Sequence, residues 1–221
     1  FSLAFMPAIE DWRVILVVLA ALTMTVGNLV AMGQRNIKRM LAYSSIGQVG
    51  YLLMGVAALS SLGSNGVIFH LVGYGFSNMA AFLVVILFFN MTGKEDIEDY
   101  AGLADRSPYL AMAMAVALFS LAGLPFFAGF TTKFYLFTAA AGEGLLWLVG
   151  VAITNSLISL YYYLMVIKQM YMVPASDRSA LKLSLVGGGV LGVLVLAIFA
   201  VGMYPGPLVE AVQSATGAIL P

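Results

Sequence analysis

Six apolar stretches, each long enough to cross a bilayer, run through the 221-residue sequence at 12–32, 37–59, 67–91, 108–141, 145–172 and 181–204. A helix needs about 20 apolar residues to span the hydrocarbon core. In lipid the backbone must satisfy its own hydrogen bonds, so such stretches predict helices. The expected fold is an all-α bundle of six transmembrane helices in one domain over 1–221. The fourth stretch is too long for a single straight span and carries Gly123, Pro125 and Gly129 near its middle. Proline removes a helical hydrogen bond and clashes with the preceding turn, so this span is expected to be a broken helix. Only 9% of the residues are charged, against about 25% in a soluble domain, so lipid is expected to be the solvent for most of the chain.

The connections carry the remaining charge unevenly. One side receives Arg35, Lys38, Arg39, Lys94, Arg106, Lys168, Arg178 and Lys182, and the other only Arg13. The positive-inside rule then puts the basic loops in the cytoplasm. The longest of them, 92–107, mixes acidic and basic residues and reads as a solvated connector. Residues 1–8 read as the end of a preceding helix, so the sequence is expected to be part of something longer. Residues 205–221 form a short apolar tail punctuated by proline and glycine.

A few polar residues fall where lipid would not tolerate them alone. Lys133 follows Pro125 by eight residues, and the next turn, Gly142-Glu143-Gly144, is roughly 14–16 Å away along the helix. An ammonium at mid-membrane costs on the order of 3 kcal/mol, so it is expected to face protein or water and to have a function. His70, Tyr74 and Ser77 share a face of the third helix, and histidine can pass protons in either direction near neutral pH. Ser44, Gln48 and Tyr51 form a second stripe, and Asn155, Ser159 and Tyr162 a third. Each stripe alone is more often hydrogen bonding between helices than a path; three of them beside a buried lysine point to a hydrated route.

Other chemistry is excluded or unsupported. With no cysteine and one histidine there is no thiolate, haem or His-rich metal site, and the metal expectation is none. Zero net charge argues against a nucleic-acid partner. The common hydrolase, phosphate-loop and dinucleotide motifs are missing, and the acidic residues lie in or beside loops.

Several runs nevertheless carry a resemblance. They are Gly27-Asn28-Leu29-Val30-Ala31-Met32, the stretch from Gln34-Arg35-Asn36 to Tyr43-Ser44-Ser45-Ile46, and Gly50-Tyr51. These resemble the antiporter-like membrane subunits of respiratory complex I, the proton-translocating NADH-quinone oxidoreductase. Asp99-Tyr100-Ala101-Gly102-Leu103, Ser120-Leu121-Ala122-Gly123-Leu124-Pro125, Gly129-Phe130, Lys133-Phe134-Tyr135 and Tyr161-Tyr162-Tyr163-Leu164 point more narrowly to the subunit N group, called subunit 2 in mitochondria.

The resemblance implies two inverted repeats of helices, of which this chain holds the second plus the final helix. It implies that Lys133 carries protons and that His70 can relay them; from the break and the polar stripes, Pro125, Gly123, Tyr74, Ser77, Ser44, Gln48 and Asn155 are the expected supporting residues. It implies no cofactor in this chain, with quinone, NADH, flavin and iron–sulfur clusters on other subunits. The implied partners are the other membrane subunits of complex I, the lipid bilayer and the N-terminal half of the same subunit; the implied location is the bacterial inner membrane. Two alternatives stay open at this point: a subunit of a multi-protein cation/proton antiporter or membrane-bound hydrogenase, and a non-conducting structural membrane piece.

Overall fold

The computed structural model describes residues 9–175 and 179–217. The helix end expected over 1–8, Arg178 and the last residues of the tail lie outside these described residues. Among them are nine α-helices and a single 3-10 turn, with no strand beyond one isolated bridge. The helices are α1 (Ile9–Met32), α2 (Ile37–Ala57), α3 (Ser61–Thr92), α4 (Leu103–Arg106), α5 (Pro108–Ala122), α6 (Ala128–Gly142), α7 (Leu146–Met172), α8 (Leu185–Met203) and α9 (Gly206–Gly217).

Five of them, α1, α2, α3, α7 and α8, are long and apolar enough to cross a membrane. The protein is an integral, multi-pass, all-helical membrane protein. Its outer surface is apolar, with side chains such as Val14, Leu22, Leu157, Val193 and Leu196 exposed. Trp12, Trp147 and Tyr204 stand exposed at one end of the bundle and Tyr109 and Tyr171 at the other, as amphipathic rings do at the two membrane interfaces.

Several bounds differ from the apolar runs. Helix α3 starts at Ser61 rather than near Val67, because the Ser60 hydroxyl accepts from Gly63 N and caps a polar first turn. Helix α8 starts at Leu185, where Ser184 caps it in the same way. The tail after Pro205 contains α9, whose Thr216 hydroxyl donates to Asn65 Oδ1 on α3 at 2.5 Å.

The connector 92–107 is more ordered than a solvated loop. It holds the 3-10 turn (Ile97–Tyr100) and α4, and it buries Tyr100 and Leu103 completely among its charges. Tyr100 stacks on Phe88 at 4.0 Å between ring centroids. Backbone bonds from Ile37 N to Glu95 O and from Ile97 N to Arg35 O stitch the connector to the α1–α2 turn. Lys38 pairs with Glu95 at 2.6 Å, and this ammonium bond holds the carboxyl below its ordinary value. At the opposite end Arg13 donates to Ala57 O at 3.2 Å and to Glu143 O at 2.7 Å. It thereby joins the ends of α2 and α6, where free carbonyls attract a cation.

Helices α1 and α2 pack backbone to backbone. A Cβ on Gly27 would lie 2.6 Å from Gly47 N, so small residues set the closeness of this pair. The interior is layered. Along α1 the buried sequence runs Val17, Ala20, Met24, then Asn28, then Ala31. Along α2 it runs Ile37, Met40, Leu41, then Ser44 and Gln48, then Tyr51, Met54 and Ala57, and α7 repeats the pattern around Asn155 and Ser159. Two apolar clusters therefore sandwich a buried polar layer at mid-depth.

Candidate functional site at the helix break

The break between α5 and α6 lies in that polar layer. Each of these helices has 15 residues, about 22 Å of rise, which is short of a hydrocarbon core of about 30 Å. Gly123, with φ +86°, turns the chain out of α5. The left-handed turn allows Gly123 N to reach Ser120 O and Leu124 N to reach Phe119 O, the paired bonds of a Schellman motif. Pro125 follows in the connecting segment, exposed and outside both helices, so it interrupts the span rather than kinking it. Phe126 is also left-handed, with φ +74°, and 69% exposed. A bulky residue in that region stores strain of order 1–3 kcal/mol.

The Schellman turn satisfies the carbonyls of Phe119 and Ser120 and leaves those of Leu121 and Ala122 for another donor. Lys133, on α6, supplies it. Its Nζ donates to Leu121 O at 2.9 Å, to Ala122 O at 3.4 Å and to Ser156 Oγ on α7 at 3.3 Å. The same ammonium lies 4.6 Å from the centroid of the Tyr51 ring. Lys133 is 3% exposed and turned back into the protein, away from the interface. Among the described residues no acidic side chain pairs with it. What stabilises the charge is the negative end of the α5 dipole, two orphan carbonyls and an aromatic face.

Two further features lock this geometry. A Cβ on Gly129 would collide with the Ser120 carbonyl, so only glycine lets the first turn of α6 close on the end of α5. The Ser120 hydroxyl then accepts from Gly129 N at 3.0 Å and bonds Ser77 at 2.7 Å, tying α3, α5 and α6 together.

His70 is buried on α3, with Nδ1 2.9 Å from Thr132 Oγ1. With that hydroxyl's hydrogen placed on Ala128 O at 3.0 Å, Nδ1 is the donor and Nε2 of neutral His70 an acceptor. Gln48 donates Nε2–H to Leu121 O at 3.2 Å, sharing that carbonyl with Lys133. A narrow gap is lined by Gln48, His70, Tyr74, Ser77, Ser120 and Lys133, among others, and has no space for a water-sized sphere. On its other side Lys133 borders a mostly apolar cleft of about 200 Å³ between α6 and α7, with Ser156 as its other polar side chain.

Of the residues expected from sequence, Lys133, His70, Tyr74, Ser77 and Gln48 thus share one gap, and Gly123 sits against the lysine chain. Ser44 and Asn155 lie elsewhere in the layer. Ser44 bonds Tyr163 at 2.7 Å, and Asn155 bonds Thr25 and Asn28. Sequence reading missed Ser156, one residue off the stripe drawn through Asn155, and Thr132, which neighbours the lysine in sequence. It also missed the Leu121 and Ala122 carbonyls, which carry no side-chain signal. No group of His, Asp and Glu able to hold a metal occurs among the described residues.

Comparison with known proteins follows the same lines. NADH-quinone oxidoreductase subunit N of Moorella thermoacetica is 44% identical over 98% of this chain and 47% of its own length. Subunit N of Trichlorobacter lovleyi is 48% identical over 79% of this chain and 36% of its own. The chain spans about half or less of the length of these curated relatives. A chain in respiratory complex I from Thermus thermophilus with bound NADH superposes with a TM-score of 0.83 at 26% identity, covering 93% of this chain and 45% of that one. A chain of the membrane-bound sulfane sulfur reductase, an archaeal respiratory membrane complex, gives 0.87 at 29% identity, over 96% and 43%. The match to the family described as "NADH:quinone oxidoreductase/Mrp antiporter, TM" runs over residues 1–159 and takes in the break, Lys133, His70 and Ser156, and the chain belongs to that family.

Proposed function

We propose that this chain is the C-terminal half of subunit N of a proton-translocating NADH-quinone oxidoreductase, respiratory complex I, and that Lys133 carries the proton. The observation that carries this reading is a buried ammonium with no acidic partner among the described residues, seated on the open end of a broken helix. A lysine can exist with or without its proton, and two carbonyls and a hydroxyl favour its charged form without neutralising it. An added positive charge nearby would drive the proton off; its withdrawal would let Lys133 reload. His70, across the gap, is the titratable group that hands the proton on, and Tyr74, Ser77, Gln48 and Gly123 hold the pair in place. Pro125 ends the α5 turn so that the break stays open, while Ser44 and Asn155 support the polar layer around it.

In this reading the α5–α6 pair counts as one broken pass, which gives six passes and makes the chain the second inverted repeat plus the final helix. The basic loops face the cytoplasm of a bacterial inner membrane. Quinone, NADH, flavin and iron–sulfur clusters belong to other subunits, and the other membrane subunits and the N-terminal half of the same subunit are the partners. Relatives 42–44% identical over nearly all of this chain carry the subunit N name, which supports this assembly over a multi-protein antiporter.

The test is NADH-driven proton uptake in inverted membrane vesicles, with quinone reductase activity measured in parallel. Lys133→Ala is expected to lose pumping in a complex that still assembles. Lys133→Arg is expected to fail nearly as badly, because a guanidinium keeps its proton. Parental pumping and turnover in Lys133→Ala would make the lysine structural, and full pumping by Lys133→Arg would rule out a titrating role.

A further inference from the structure

Two buried polar atoms beside Lys133 have no partner among the described residues: Gln48 Oε1, and His70 Nε2, an acceptor when Nδ1 carries the ring proton. Both residues line the narrow gap that Lys133 also lines. Buried polar atoms are ordinarily paired, so two orphans in one gap call for a donor. As packed here, the gap has no space for a water-sized sphere. The donor already present is the Lys133 ammonium, which in this structure is turned to the other side, onto Leu121 O, Ala122 O and Ser156 Oγ.

We propose that Gln48 is a positioning residue that gives the Lys133 ammonium a second seat. In the first seat the amine caps α5. In the second it donates to Gln48 Oε1 and faces His70 Nε2. The Gln48 carboxamide suits this role because its two ends do different work. Its Nε2 already donates to Leu121 O, so that carbonyl stays bonded when the lysine leaves, and its oxygen receives the arriving ammonium. The swing rotates the flexible lysine chain, and because an ammonium is as large as a water, the gap that Lys133 itself lines must widen as the chain turns into it. The titratable groups around the lysine are Tyr51 on α2 and His70 and Tyr74 on α3; α5 and α7 present carbonyls and hydroxyls.

The inference rests on the proton-carrying reading of Lys133, and Lys133→Ala run alongside separates the two. The complete complex in inverted vesicles is compared as parent, Gln48→Met and Gln48→Glu, reading protons taken up per quinone reduced across pH. Gln48→Met keeps the volume and removes both ends of the amide, and is expected to lower pumping roughly tenfold, the size of one hydrogen bond to a charged group. Gln48→Glu loses the donor to Leu121 O but keeps the acceptor, so it is expected to pump with the alkaline limb of its profile moved to higher pH. Parental pumping by Gln48→Met would overturn the proposal. So would an equal fall in both variants with an unmoved profile, since Gln48 would then serve only the Leu121 carbonyl. Should Gln48→Met fail to assemble, Gln48→Asn, one methylene short of the seat, takes its place: impaired pumping supports the second seat and parental pumping overturns it. If Lys133→Ala itself pumps normally, the underlying functional reading fails first.

Discussion

Gly129→Ala adds one methyl group at the point where the broken helix is closed. The new Cβ would land on the Ser120 carbonyl, a backbone atom that cannot rotate away, so α6 must back off from α5. Overpacking of this kind costs about 1–3 kcal/mol. The retreat also stretches the buried bond from Gly129 N to Ser120 Oγ, now 3.0 Å, worth about 1 kcal/mol. Alanine returns up to about 1 kcal/mol of helix propensity, which leaves a net loss of about 2 kcal/mol. Gly75→Ala on α3 is the matched control, because a Cβ there meets nothing within 4 Å, and it should be neutral or stabilising by about 0.5 kcal/mol. Reversible unfolding of the full subunit in mixed micelles, titrated with SDS and followed by circular dichroism, reads both. A Gly129→Ala protein as stable as Gly75→Ala would refute the idea that the break is closed by backbone contact at this residue.

Two further outcomes follow from the ends of the bundle. Arg13→Ala leaves the carbonyls of Ala57 and Glu143 without their cation and should cost about 1–2 kcal/mol in the same titration, with Arg13→Lys recovering part of it. Tyr100 buries a hydroxyl that has no partner among the described residues. Tyr100→Phe should therefore stabilise the connector by about 1 kcal/mol, read as slower trypsin cleavage at Lys94 and Arg106; faster cleavage would mean the hydroxyl is bonded in solution.

The sequence by itself determined that this is a helical membrane protein and that its fourth apolar stretch is interrupted. Both are local properties. Transfer of a 20-residue apolar helix into lipid is favourable whatever its neighbours do, and Pro125 lacks the N–H that a continuing helix would need at that point. The oddity of Lys133 was legible for the same reason, since the cost of an ammonium in hydrocarbon does not depend on the rest of the fold. Ser60 as a helix cap lay below the resolution of hydropathy, because a capped polar first turn reads as a loop; the start of α8 after Ser184 and α9 within the tail carry no hydropathy signal of their own.

Only the tertiary structure decided what the lysine touches. Nothing in the spelling of Leu121 or Ala122 says that their carbonyls are the two left open, because that depends on the Schellman turn bonding Phe119 and Ser120 first. Nor does a stripe of polar residues say where it points. Gln48 and His70 converge on Lys133 while Ser44 and Asn155 turn to Tyr163, Thr25 and Asn28. Depth follows from transfer free energy and can be read along one helix. Contact follows from the packing of α2, α3, α5, α6 and α7 against each other, set by glycines such as Gly129, and exists only once they are assembled.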